Sequence, residues 1–193
     1  MYLFFDVSAI GTPKSWKAPV NDPFNWPRMM HLSWLLYNSE RELMDSSDDI
    51  IKPEGFVIPI EAEKKHKVTQ TQAEDEGVPL KEALERFKDA LTKADYVIAH
   101  NMNFNESVVT CEFYRKNISH VLQSSDKYCL MQEATWYTKL PNPKGGYKWP
   151  SLQDIHSKVF EAQYADAGNA LADVSAVTVC FFALLDLEAI ELF

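Results

Sequence analysis

The sequence predicts an α/β protein in which helices pack against a mixed sheet, and three observations carry that expectation. Apolar residues first occur in runs of strand length, Tyr2 to Val7 and Met30 to Tyr37. From Leu80 they recur at helical spacing. A short strand-like run then alternates with helical stretches until a long apolar segment, Val174 to Leu185, closes the chain. Strands that come first and then alternate with helices fit a sheet covered by helices.

Tyr2 to Val7 is nearly all apolar, as a buried strand should be, and Met30, Leu32 and Trp34 alternate through a second. Asp49 to Lys52 offers a third. Between the first two strands, Pro13, Pro19, Pro23 and Pro27 deny regular structure to a long loop rich in large aromatics. Ala83, Leu84, Phe87, Leu91 and Ala94 form one apolar stripe with charges opposite, the clearest helix in the chain. Tyr96 to Ala99 is a short strand. A helix follows from about Phe104, with Val108 and Cys111 at i+4 and i+7, so residues His100 to Asn105 make a strand-to-helix turn. A second loop runs from Pro141 to Pro150. Ser151 with Asp154 three positions on has the form of a helix cap, and Asn169 caps a last helix from about Ala170.

A chain of 193 residues with 46% apolar content can bury one substantial core, which predicts a single domain over 1–193. Cys111, Cys129 and Cys180 are too scattered for a disulfide framework or a zinc site and read as reduced thiols in a cytoplasm. No basic stretch precedes the first apolar run and Asp6 interrupts it, so it is expected to be a strand and not a signal peptide. Val174 to Leu185 falls short of the roughly 20 residues a membrane span requires. A net charge of -9 disfavours broad contact with phosphate backbones, so any nucleic-acid contact must be local.

Four segments then fall into a pattern. FFDVSAIG, from Phe4, places Asp6 and Ser8 on one face of the first strand. His66-Lys67-Val68-Thr69, AHNMNFN from Ala99 to Asn105, and AGNALAD from Ala167 to Asp173 follow in order. The first resembles the FDxETTG motif of the DEDDh 3′-to-5′ exonucleases, the DnaQ-like family. The others resemble its HGIT segment, its AHNxxFD motif and its HNAxxD motif.

The resemblance implies a ribonuclease H-like fold with a mixed five-stranded sheet flanked by helices. It also implies an activity, removal of nucleotides from 3′ ends of single-stranded DNA or RNA with Mg²⁺ or Mn²⁺. In the family four carboxylates hold two cations about 4 Å apart, and the third motif's histidine deprotonates the attacking water. Carried over by position, the carboxylates fall at Asp6, Ser8, Asn105 and Asp173 and the base at Gly168. Asp6 and Asp173 are retained, while Ser8, Asn105 and Gly168 are replacements. Losing a general base costs about 10²- to 10⁴-fold. Losing two anionic ligands is heavier, because Mg²⁺ is held through carboxylates and substrate phosphates. Asp6 and Asp173 are thus the expected metal ligands, for a cation bound weakly.

Nucleic-acid contacts implied by the resemblance fall at Ala9, Ile10 and Gly11, at His66 and at Phe104. His66 also reads as a solvated histidine among Lys64, Lys65 and Lys67, and Phe104 as a core residue. Lys144, Tyr147 and Lys148, with Lys139 and Trp149 beside them, combine charge and stacking surface in the manner of single-strand binders. Trp16, Lys17 and Trp26 add the same mixture from the first loop, and both loops are expected to flank the cleft.

Three readings follow. The chain is an inactive relative that binds single-stranded 3′ ends or a protein partner; or a working exonuclease in which Asp6, Asp173 and Asp166 hold one cation; or a protein-interaction scaffold without nucleic-acid binding. None involves a membrane.

Overall fold

The structure, a computed structural model, describes residues 1–192, so the last residue of the expected 1–193 domain lies outside the described residues. Five strands, β1 (Tyr2–Ala9), β2 (Met29–Tyr37), β3 (Leu43–Ile50), β4 (Tyr96–Ala99) and β5 (Asp126–Cys129), form one sheet in the order β3-β2-β1-β4-β5. β2 runs antiparallel to β1 and β3, whereas β1, β4 and β5 are parallel. The expected mixed five-stranded sheet is therefore present.

The helices are α1 (Ile60–His66), α2 (Gln70–Asp75), α3 (Leu80–Leu91), α4 (Met102–Arg115), α5 (Leu130–Glu133), α6 (Thr135–Thr138), α7 (Leu152–Phe160) and α8 (Ala170–Asp186). Period two along β1 sends Leu3, Phe5 and Val7 into a core with α3 and α4, where Phe5 meets Phe87 at 5.1 Å. Phe4 goes to the opposite face, against Val177 and Phe181 of α8. Asp6 and Ser8 belong to this second face, towards the first turn of α8, which carries Asp173.

Several boundaries differ from the sequence expectation. β1 runs to Ala9, so Ser8 lies inside the strand and faces His31 of β2. The third strand is Leu43–Ile50 and not Asp49 to Lys52. It lies at the sheet edge with its first four residues exposed, so pairing with β2 produces it without apolar alternation. β5, sequence Asp-Lys-Tyr-Cys, carries no pattern either, since only Tyr128 is buried. α4 begins at Met102, two residues before the expected Phe104, because Asn101 enters it in a left-handed conformation (φ 57°). The capping box of Ser151 and Asp154 and the Asn169 cap form as expected.

The long proline-rich loop is tied down by Glu112, which is fully buried in α4. Its Oε1 accepts from Arg28 Nε and from the Met29 N–H, both at 2.9 Å, and lies 3.0 Å from Arg115. Among the described residues no helix is long and apolar enough to cross a membrane.

Candidate active site

β4 pairs with β1 only as far as Phe4, after which the chain turns through residues 100–101 into α4. The freed edge of β1 beyond Phe4 still carries backbone donors that need partners. Asn105, buried in the first turn of α4, supplies one: its Oδ1 accepts from the Val7 N–H at 3.1 Å. Its Nδ2 donates to the His100 carbonyl at 2.7 Å and to Asp6 Oδ1 at 3.0 Å. An N–H can bond only the oxygen of the amide and a carbonyl only the nitrogen, so the backbone fixes which way the amide points. The atom it presents to Asp6 is a hydrogen-bond donor.

Asp173, in the first turn of α8, is satisfied similarly. The Gly168 N–H donates to both of its oxygens, at 2.9 and 3.1 Å, and the Tyr164 hydroxyl donates to Oδ1 at 2.7 Å. The Gly168 carbonyl in turn accepts from His66 Nδ1–H at 2.6 Å and from the Ser8 hydroxyl at 3.3 Å. The position that carries the base in the resembled motif is thus a backbone hub joining β1, α1 and α8. Gly168 has φ +96°, and a Cβ there would lie 2.7 Å from the Lys65 carbonyl oxygen. Glycine is what this loop path permits.

Electrostatics follow from burial. Asp6 is only 9% exposed, and burial, with the neighbouring Asp173 carboxylate adding to it, raises its pKa well above the usual carboxylate value; the Asn105 bond works against the rise. Burial also raises Asp173, opposed by the Gly168 and Tyr164 donors. His66 is pushed down by burial, more than its bond to Gly168 raises it, so its ring is neutral. The expectation of a solvated His66 does not hold, because the ring is buried against the Gly168 loop.

The donor set bears on the metal expected at Asp6 and Asp173. Among the described residues no group of three or more His, Cys, Asp and Glu side chains could hold an ion. Asp6 faces an amide N–H, and both oxygens of Asp173 are taken by protein donors. These residues do not fit a two-metal centre. Asp166 does not complete one, since it is exposed in a surface recess shared with Lys67 and Leu171.

Of the expected nucleic-acid contacts, Ala9, Ile10, Gly11 and His66 come together, with Lys65 and Glu61, around a recess of about 250 Å³ beside the Gly168 hub. Phe104 is partly buried and packs on Trp16, ring centres 6.0 Å apart. Lys144, Tyr147 and Lys148 line neither this recess nor the larger cavity beyond α4. Tyr147 instead packs edge-on against Trp136 at 5.4 Å. Sequence reasoning missed Tyr164, which lies outside every motif, and Lys65, whose charge near both acids emerges only when α1 is placed against the Gly168 loop.

No family model matches the sequence, and no curated protein does. Solved structures do. The chain superposes on E. coli exonuclease I in complex with a dT13 oligonucleotide with a TM-score of 0.73 at 18% identity, over 96% of this chain and 40% of that one. The chain shares its fold with exonuclease I. For the zinc-bound form of the E. coli exonuclease I complex with single-stranded DNA the TM-score is 0.74 at 17% identity, covering 96% and 40%. For exonuclease I in its SSB complex with the inhibitor CFAM it is 0.72 at 17%, covering 96% and 41%. This chain therefore spans about two-fifths of the exonuclease I chains it matches. The ribonuclease H-like fold implied by the motifs is the one observed.

Proposed function

We propose that this chain is a single exonuclease-like domain that has lost hydrolytic activity and retains binding of single-stranded nucleic-acid 3′ ends. The observation that carries the reading is the Asn105 amide, whose N–H points at Asp6 where the resembled motif has a carboxylate. A cation beside Asp6 would meet a donor dipole of the wrong sign, and replacing one anionic ligand by a neutral group weakens a hard cation site. Mg²⁺ or Mn²⁺ is bound weakly at most. Without a metal to activate water or stabilise the leaving oxygen, and with Gly168 and the Asn105 amide standing where the resembled motifs carry a histidine and an acid, the site lacks the groups for phosphodiester hydrolysis.

Retained binding is supported by the recess lined by Ala9, Ile10, Gly11 and His66, which holds Lys65 as its one cation. It is also supported by the oligonucleotide complexes of exonuclease I, which has this fold. The free thiols of Cys111, Cys129 and Cys180 agree with a reducing, cytoplasmic setting.

The test is incubation of a 3′-labelled single-stranded oligonucleotide with the protein and Mn²⁺, alongside a binding measurement in chelator. We expect no shortening, and binding that persists without metal. Shortening that Asp6→Ala abolishes would show a working exonuclease. If neither shortening nor binding occurs, the protein-interaction scaffold is left.

A further inference from the structure

A cavity of about 760 Å³ opens at the start of α4. Asn101, Met102 and Asn103 of the same turn that places Asn105 form one wall, and β5 with α5 forms another. The two long loops meet on its rim: Trp16 from the first is 54% exposed and Trp149 from the second is 62% exposed. Large aromatics left more than half in solvent on opposite loops of one cavity have no core role to explain them. Trp16 is held edge-on by Trp26, ring centres 6.3 Å apart, so it is a supported platform and not a free rotor.

Charge decides what such a cavity accepts. Its one lining cation is Lys127, which pairs with Glu106 at 2.7 Å and also donates to the Gln123 carbonyl. Glu133 also lines it, leaving the wall net negative. A phosphate would meet no free cation there. The side-chain amides of Asn103 and Gln132 offer both donors and acceptors, the complement of a nucleobase edge. The volume falls within the roughly 300–1,000 Å³ of small-molecule sites.

We propose that this cavity stacks unpaired nucleobases of a bound single strand on Trp16 and Trp149 and hydrogen-bonds their edges through Asn103 and Gln132, while the phosphates stay in solvent. The proposal rests on the reading that the domain binds single strands, and it names how: through bases, with little help from backbone charge. An acidic protein can bind nucleic acid in this way, because stacking needs no counterion release.

The experiment compares a single-stranded oligonucleotide with an abasic strand of the same length, followed by tryptophan fluorescence and by anisotropy at several salt concentrations. The intact strand should quench the fluorescence and bind with a salt dependence of about one to two phosphates, while the abasic strand should bind far more weakly. Trp149→Ala should weaken binding of the intact strand about 5- to 150-fold, the span expected for a lost base–aromatic stack, at unchanged Tm because the ring is exposed. Asn103→Ala with Gln132→Ala should weaken it also. Equal binding of abasic and intact strands, or undiminished binding by Trp149→Ala, overturns the base site while leaving single-strand binding in place. Failure of the intact protein to bind any strand overturns both.

Discussion

The Asn105 amide donates to Asp6 Oδ1 at 3.0 Å, with its other contacts, to Val7 and His100, both on backbone that cannot exchange roles. That single orientation makes the site a closed hydrogen-bond arrangement. The carboxylate that a metal would neutralise is answered by a protein donor instead.

Asn105→Asp would remove two donors and put a third acid beside Asp6 and Asp173. In chelator the variant should lose about 1–3 kcal/mol, the cost of leaving a buried partner unsatisfied, or roughly 2–12 °C in Tm for a domain of this size. Added Mn²⁺ should restore part of the loss, because three acids can hold what two cannot. The intact protein should show no Mn²⁺-dependent rise in Tm. Thermal unfolding with and without metal measures both, and a Mn²⁺ shift of the intact protein as large as the variant's would refute the closed-site account.

Gly168→Ala should destabilise by about 1–3 kcal/mol, since it combines left-handed backbone with a Cβ 2.7 Å from the Lys65 carbonyl oxygen. Gly168→His should be no milder. The base therefore cannot be restored by one substitution, and an exonuclease assay of Gly168→His should remain blank even in a background carrying Asn105→Asp.

These two positions mark what the sequence made legible and what it left dark. Motif order and apolar framework pointed to the fold because β1 and β4 are unbroken buried runs and α3 keeps a buried stripe at helical spacing. They also located Asp6, Asn105, Gly168 and Asp173 as neighbours. They could not show that the replacements bond one another, because donor direction depends on where β4 leaves β1. Tyr164 lay hidden for the same reason: it reaches Asp173 across a loop with no periodicity. β3 and β5 were illegible because their partners, and not their own residues, make them strands.

His100 provides a pH signature. Its Nδ1 is shut off from solvent without a hydrogen-bond partner, and burial lowers the ring's pKa to about 4. A histidine lowered in the folded state takes up its proton more readily when unfolded, so its contribution to stability is present above about pH 6.5 and is lost as pH falls towards 4. His100→Phe keeps the ring shape and removes the titration. Its Tm should fall less than that of the intact protein between pH 7 and pH 5, and parallel curves would count against a buried neutral ring.

Asp6 gives the opposite sign and separates the closed site from a metal site. Its pKa is raised by burial and by Asp173, so the folded state holds a proton that the unfolded chain releases at lower pH. The stability tied to that proton is complete below about pH 4 and is lost as pH rises through the raised value. Asp6→Asn keeps an acceptor oxygen for Asn105 and removes the charge. At neutral pH it should raise Tm by a few degrees, each kcal/mol corresponding to about 2–4 °C, and the gain should vanish as pH approaches 4. A site that depends on a cation would respond in reverse, since Asp6→Asn would then remove a ligand and lower Tm in Mn²⁺. Paired melts of the intact protein and Asp6→Asn, in chelator and in Mn²⁺ across that pH range, decide between them.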